Sequence, residues 1–198
     1  ILLDTRYFRS PLKRGPERRT GGPWVPDDDP KKTMLGEAQW KWLESELQKP
    51  AEFRIVASSI QLIAEDAGQE TWSNLPRERE RFLKLLSKTK ASGVVLISGD
   101  RHWSELSSLT EGVPYPLFDF TSSSFNQPHG RGTPTKNRFR ASKTTFHKEN
   151  FGAITIDWTS DPKMTLEIRD MSGEVQFGKS LRLLSLIHIS EPTRRKRI

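Results

Sequence analysis

Cysteine is absent from the 198 residues, which excludes disulfides and thiolate metal ligation for this stretch and leaves the compartment undecided. No window approaches the run of about 18 apolar residues that a membrane span needs. Neither a basic leader nor an initiator Met opens the sequence: Ile1, Leu2 and Leu3 run straight into Asp4, Thr5 and Arg6. An apolar triplet at the first position reads as entry into the middle of a strand, so further sequence is expected before it. A strong charge imbalance is missing too. The formal charge is +7, but Arg194, Arg195, Lys196 and Arg197 crowd the last fourteen residues against one acid, Glu191. Without that end, 28 basic and 24 acidic residues remain, a net +4. So mild an excess suits an anionic substrate and lacks the concentrated footprint of a nucleic-acid binder, despite the Arg-rich stretches 14–19 and 131–140. What the chain does have is aromatic mass, with six Trp and ten Phe in a composition one-third apolar. That is enough for one domain with a sizeable core. A mean hydropathy of −0.67 adds that long polar loops connect its elements.

The far end reads differently from the rest. Residues 184–194, LSLIHISEPTR, resemble translated sequencing-adapter read-through of the kind met at the ends of metagenomic gene predictions. Such segments are set aside before reasoning about fold. His188 and the run RRKR are therefore expected to carry no function, and residues 184–198 are read as a non-native tail. Residues 1–183 are read as the C-terminal part of a domain whose N-terminal portion is missing.

Along those residues, 1–4 read as a buried strand that delivers Asp4 to its end. Residues 5–33 turn to Pro, Gly and charge, the composition of a long surface loop. An amphipathic helix follows, with Leu35, Trp40, Leu43 and Leu47 on one stripe and Pro50 beyond its end. Trp40 and Trp42 cannot share that stripe, so one of them belongs at its edge. Residues 53–58 read as a strand, and 61–75 as a loop. Pro76 sits at the start of a second helix, which carries Phe82, Leu83, Leu85 and Leu86 over 77–90. GVVLIS, at 93–98, is a continuous apolar run, as expected of a strand buried on both faces. Strand, helix, strand, helix, strand is the order of a layered α/β fold. PLFDFT at 116–121 reads as another strand, and 122–144 as a polar loop. Residues 150–158 and 164–170 alternate like paired antiparallel strands, with Ser172-Gly173 as a turn before 175–177.

Chemistry concentrates where GVVLIS ends. Sites in open α/β sheets form beyond the carboxyl ends of strands. There Gly99 permits a sharp turn, and Asp100 and His102 alternate around Arg101. In an extended chain both would point to one side, offering a carboxylate oxygen and an imidazole nitrogen to a metal ion of mixed O/N coordination. An Asp–His pair that merely caps a turn is the plainer alternative, and the buried strand in front weighs against it. Elsewhere the signals are plainer still. His129 and His147 stand alone in loops and read as surface. Thr121, Ser122, Ser123, Ser124 and Asn126 read first as hydroxyls and amides satisfying turn backbone. For Trp24, Trp72 and Trp103, core packing outranks a pocket wall. The acidic run Asp27-Asp28-Asp29 lies between prolines, with no strand end to give it a site.

GVVLISGDRHW at 93–103, with LLDTRYFR at 2–9, resembles the alkaline phosphatase D family of metallophosphatases. MLGEAQWKWLESEL, FRIVASSIQL, Trp72 followed by Pro76-Arg77-Glu78-Arg79, PYPLFDFTSSSFNQ and HKENFGAITIDW are similar to further family stretches in the same order. The resemblance covers nearly all of 1–183. It implies part of a four-layer α/β/β/α sandwich that hydrolyses phosphate mono- or diesters with two metal ions, iron and calcium being the plausible pair. It also implies a small-molecule phosphate ester as substrate and a periplasmic or secreted location. Where the superfamily has Gly-His-x-His, this sequence has Gly99-Asp100-Arg101-His102. That correspondence makes Asp100 a metal ligand, and His102 either a second ligand or a donor to the phosphate. The family's D-x-R falls on Asp4-Thr5-Arg6. Arg6 would then give a bidentate fork to phosphate or to a site carboxylate, with Asp4 orienting it. Arg9 looks solvated. The other ligands of such a metal pair have no counterpart in this sequence, so the chain alone is expected to bind metal weakly and to hydrolyse nothing. A binding protein on the same fold, for a phosphate- or carbohydrate-bearing ligand, is the alternative.

Overall fold

The computed structural model describes residues 1–19, 21–65, 68–129 and 136–187, excepting the side chains of 18 and 19. Arg131, His188 and the basic run 194–197 lie outside the described residues. The elements in chain order are β1 (Lys13–Arg19), β2 (Gly22–Val25), α1 (Glu37–Gln48), β3 (Arg54–Ser58), α2 (Pro76–Thr89), β4 (Val94–Ser98), β5 (Glu105–Leu109), β6 (Leu117–Thr121), β7 (Asn150–Asp157), β8 (Lys163–Asp170) and β9 (Val175–Arg182). Short 3-10 turns fall at Trp72–Asn74 and Leu183–Leu186.

The central sheet runs in the order β3-β4-β6-β5. β3, β4 and β6 are parallel, with Ser58 opposite Ser98 and Ser98 opposite Thr121. β5 closes the far edge antiparallel to β6. At the near edge residues 1–3 lie parallel to β3, where the Leu3 N–H donates to the Ala57 carbonyl (2.9 Å) and the Ala57 N–H to that of Ile1 (2.8 Å). Four parallel segments therefore deliver their carboxyl ends to one edge. A second sheet, β7-β8-β9, is an antiparallel meander. In β8 the buried residues are Met164, Leu166 and Ile168, the alternation of a sheet with one buried face.

The helices form where the spacing places them. In α1 the buried positions are Trp40, Leu43 and Leu47, while Trp42 stands 40% exposed at the edge. Pro76 occupies the first turn of α2, and Lys90 ends the helix in left-handed geometry. Trp40, Trp72 and Phe82 meet edge to face, with centroids 6.1 and 5.7 Å apart. Glu78 of α2 is buried among them. Its Oε2 accepts from the Trp40 indole N–H (2.8 Å), the Met34 N–H (2.6 Å) and the Thr33 hydroxyl (2.7 Å). One carboxylate thus pins the end of the long polar segment to both helices.

Four expectations change. The stretch 5–33 is not loop throughout: β1 and β2 pair across it, with a register shift that accommodates Pro16. β5 hides in the polar string ELSSL because Glu105 and Ser107 face buried partners, Gln61 and Asn137, in place of apolar ones. β9 continues to Arg182, since an exposed strand carries little hydrophobic alternation. Residues 1–4 make a single bridge, and Leu2 is 77% exposed, so they do not form a buried strand.

Candidate active site

The carboxyl edge of the central sheet gathers Asp4 and Thr5, Ser59 after β3, residues 99–103 after β4, and residues 122–124 after β6. Hydrogen bonds knit these ends together. The Ser122 N–H donates to the Ser98 carbonyl (3.0 Å), and the Thr5 and Ser59 hydroxyls bond to each other. Beneath the edge, Asp119 of β6 is fully buried and accepts from the Ser98 hydroxyl (2.7 Å) and the Leu62 and Ile63 N–H groups (2.7 and 3.1 Å). Burial raises the Asp119 pKa against the pull of those three donors. This carboxylate fixes the end of β4 to the start of the 61–75 loop.

Residues 100–102 are not extended. Asp100 and His102 both take left-handed backbone geometry, φ 69° and 58°, which costs a non-glycine residue roughly 1–3 kcal/mol each. Surrounding bonds hold the turn in that shape. The His102 N–H donates to the Ser123 hydroxyl (3.0 Å), and its carbonyl accepts from the His129 N–H (2.7 Å). Arg101 is buried with its guanidinium 4.3 Å over the Trp103 ring, so it stacks inward on that indole. Trp103 itself is buried. Strain held this way gathers at functional sites.

Asp100 accepts no hydrogen bond among the described residues. Its pKa is raised, first by desolvation and then by Glu70, while Arg6, Arg101 and His102 pull the other way. Glu70, Arg6 and His102 are thus near enough for their charges to act on it. Asp4 serves the turn that presents Arg6: its Oδ1 accepts the Arg6 and Tyr7 N–H groups (both 2.9 Å), and these bonds lower its pKa. The Asp4 main chain is clasped by the Gln39 side chain of α1, at 2.8 and 2.9 Å. Arg6 donates from Nη1 to Glu70 Oε2 (2.6 Å), and Arg9 donates to that same oxygen (2.6 Å). Burial pushes the Glu70 carboxyl up, but bonding and charge from Arg9 and then Arg6 outweigh it and hold it low.

Arg9 is therefore not solvated; its side chain is 14% exposed and ion-paired. Glu70 escaped the sequence reading because nothing in a lone acid of a polar loop signals a partner 64 residues away. His129 and His147 are not isolated either, since both pack on Trp103, at 6.3 and 5.5 Å. Thr121 is buried, accepting from Gln61 and bonded to Ser98, so it is structural, while Ser123 serves the turn. Trp72 is core and Trp24 half-buried. Asp27 and Asp28 are taken up by Lys32 and Arg77. Beside the site, a cavity of about 280 Å³ opens between the central sheet and β7, lined by Leu3, Ala57, Ile97, Phe120 and Ile154 with Ser59 and Ser98. Gly152 lets β7 approach there: a Cβ would sit 3.0 Å from both Phe120 and Ser122.

For a metal ion, the fit is that of a partial cage. Asp100 is an exposed carboxylate that accepts no hydrogen bond among the described residues, the state a cation relieves, and His102 supplies an imidazole two residues on. Among the described residues no group of three His, Cys, Asp or Glu side chains converges to hold a metal. No helix among them is long and apolar enough to cross a membrane.

The sequence profile of the PhoD-like phosphatases matches residues 1–168. Alkaline phosphatase D of Bacillus subtilis (strain 168) is 28% identical over 120 residues, 54% of this chain and 20% of that protein. A solved structure of PhoD superposes with a TM-score of 0.66 at 19% identity, covering 98% of this chain and 42% of that one. The mixed α/β architecture is thus that of the PhoD structure, and the chain spans a minor share of the relatives it matches.

Proposed function

Because the chain belongs to the PhoD-like phosphatase family, we propose that it forms the closing part of a two-metal phosphoric ester hydrolase, with Asp100 and His102 at the metals. One observation carries this reading above the rest. A strained turn at the carboxyl end of a central parallel strand carries a carboxylate that lacks a donor among the described residues, with an imidazole two residues on. In this reading Asp100 ligates metal, and His102 either ligates or donates to the phosphate. In this reading the remaining ligands come from outside the described residues.

When bound, the metal pair supplies a hydroxide nucleophile at neutral pH and neutralises phosphoryl oxygens. The chain's own residues do the rest. Arg6 offers the guanidinium N–H groups that Glu70 does not hold to the non-bridging oxygens, whose charge is what phosphoryl transfer must stabilise. Asp4 shapes the turn that carries Arg6. Asp119, through Ser98, keeps the Asp100 turn in register with the neighbouring strand ends. A small phosphate ester is the substrate, and iron and calcium are the pair suggested by resemblance. Resemblance also suggests a periplasmic or secreted setting.

Metal uptake tests the reading. The 198-residue chain should bind divalent or ferric ions weakly, and Asp100→Asn should abolish that uptake, read by equilibrium dialysis against the metal. Unchanged metal content in the variant would remove Asp100 from the ligand set. Robust turnover of p-nitrophenyl phosphate by the chain alone would overturn the view that ligands from elsewhere are required.

A further inference from the structure

We propose that Glu70 and Arg9 are positioning residues for Arg6, and that the three form a built anion site selecting a phosphate group. The inference rests on the phosphoric ester reading above. Arg6 alone is a poor fork: its side chain is 58% exposed, and a free guanidinium must surrender rotamer freedom to bind. Glu70 removes that freedom by holding Nη1, which leaves Nε and Nη2 available among the described residues. A carboxylate so placed would by itself cancel the charge of Arg6. Arg9 prevents this. It delivers a second guanidinium to the same Glu70 oxygen from a largely buried position, at 14% exposure. Two cations on one anion leave a net +1, and the exposed member, Arg6, is near enough for its charge to act on Asp100.

The scaffold is stiff on both sides. Asp4 and Gln39 hold the turn below Arg6. Glu70 is followed at once by a capping box, in which the Thr71 N–H donates to Asn74 Oδ1 (2.8 Å), and Gly68 just before it packs backbone to backbone on Gly22. A Cβ at Gly68 would fall 2.1 Å from the Gly22 carbonyl oxygen, so the loop is seated on the β1–β2 hairpin. Preorganisation of this kind reduces what binding must spend on ordering.

Charge and positioning predict opposite signs for one substitution. Glu70→Gln removes a negative charge beside the phosphate, so charge alone makes the variant bind orthophosphate more tightly. Positioning makes it bind more weakly, by roughly fivefold to tenfold. Orthophosphate titration of the 198-residue chain, followed by phosphorus NMR without added metal, reads the sign. Arg9→Met should also weaken binding, Arg9→Lys should recover part of it, and Arg6→Ala should remove it. Tighter or equal binding by folded Glu70→Gln, unchanged binding by Arg9→Met, or no phosphate binding by the parent chain overturns the proposal. Should Arg9→Met fail to fold, the comparison of Arg9→Lys with parent decides in the same way. Metal uptake by Asp100→Asn is independent of these titrations, so failure of the hydrolase reading and failure of the positioning pair show up separately.

Discussion

Glu78 on α2 and Asp100 in the turn after β4 are both acids, and the structure treats them in opposite ways. Glu78 is buried and accepts three hydrogen bonds, two from the segment before α1 and one from α1 itself. Asp100 is exposed, sits on a left-handed backbone and accepts none among the described residues. The first is a finished structural joint. The second is held in an unfavourable shape by its surroundings, as groups are when the interaction they serve is not internal to the fold.

The largest effect that tests this contrast is at the joint. Glu78→Ala strands the Trp40, Met34 and Thr33 donors in the core and should cost about 3–5 kcal/mol of stability, measured by urea unfolding. Asp119→Ala, which strands the Leu62 and Ile63 N–H groups and the Ser98 hydroxyl, should cost about 2–4 kcal/mol in the same assay. At the turn the sign reverses: His102→Gly should raise stability by up to about 1 kcal/mol, since glycine takes φ 58° without strain. A loss as large as that at Glu78 would show that the turn is a joint as well.

The smallest effect is in pH dependence. Glu70 has a lowered folded pKa, so its contribution is complete above the ordinary glutamate value of about 4.3 and fades as pH falls through the lower folded value. Asp100 has a raised pKa, so its folded state is relatively disfavoured once pH exceeds the ordinary aspartate value of about 3.9. Glu70→Gln should therefore flatten the acid limb of a stability–pH curve, and Asp100→Asn should lift stability slightly near neutrality. Movement in the opposite sense at either residue would break the comparison between a paired and an unpaired acid.

Much of the fold was legible because it depends on local periodicity. The stripe Leu35, Trp40, Leu43, Leu47 and the run GVVLIS announce a one-faced helix and a strand buried between layers, and both form as read. β5 did not announce itself: Glu105 and Ser107 look like surface until Gln61, Arg140 and Asn137 arrive from remote segments. The site divides along the same line. Asp100 and His102 stood out as candidates from their place after a buried strand, and Arg6 from the family resemblance of Asp4-Thr5-Arg6.

The sequence by itself determined that an acid and an imidazole follow the central strand, because strand burial and glycine placement are local matters of hydrophobicity and steric freedom. Only the tertiary structure decided that the turn between them is left-handed and that Glu70 joins Arg6 and Arg9 beside it. Those outcomes depend on the Ser123 and His129 bonds to His102 and on a salt bridge spanning 64 residues. Interactions between segments so far apart leave no period or spacing for a one-dimensional reading to find.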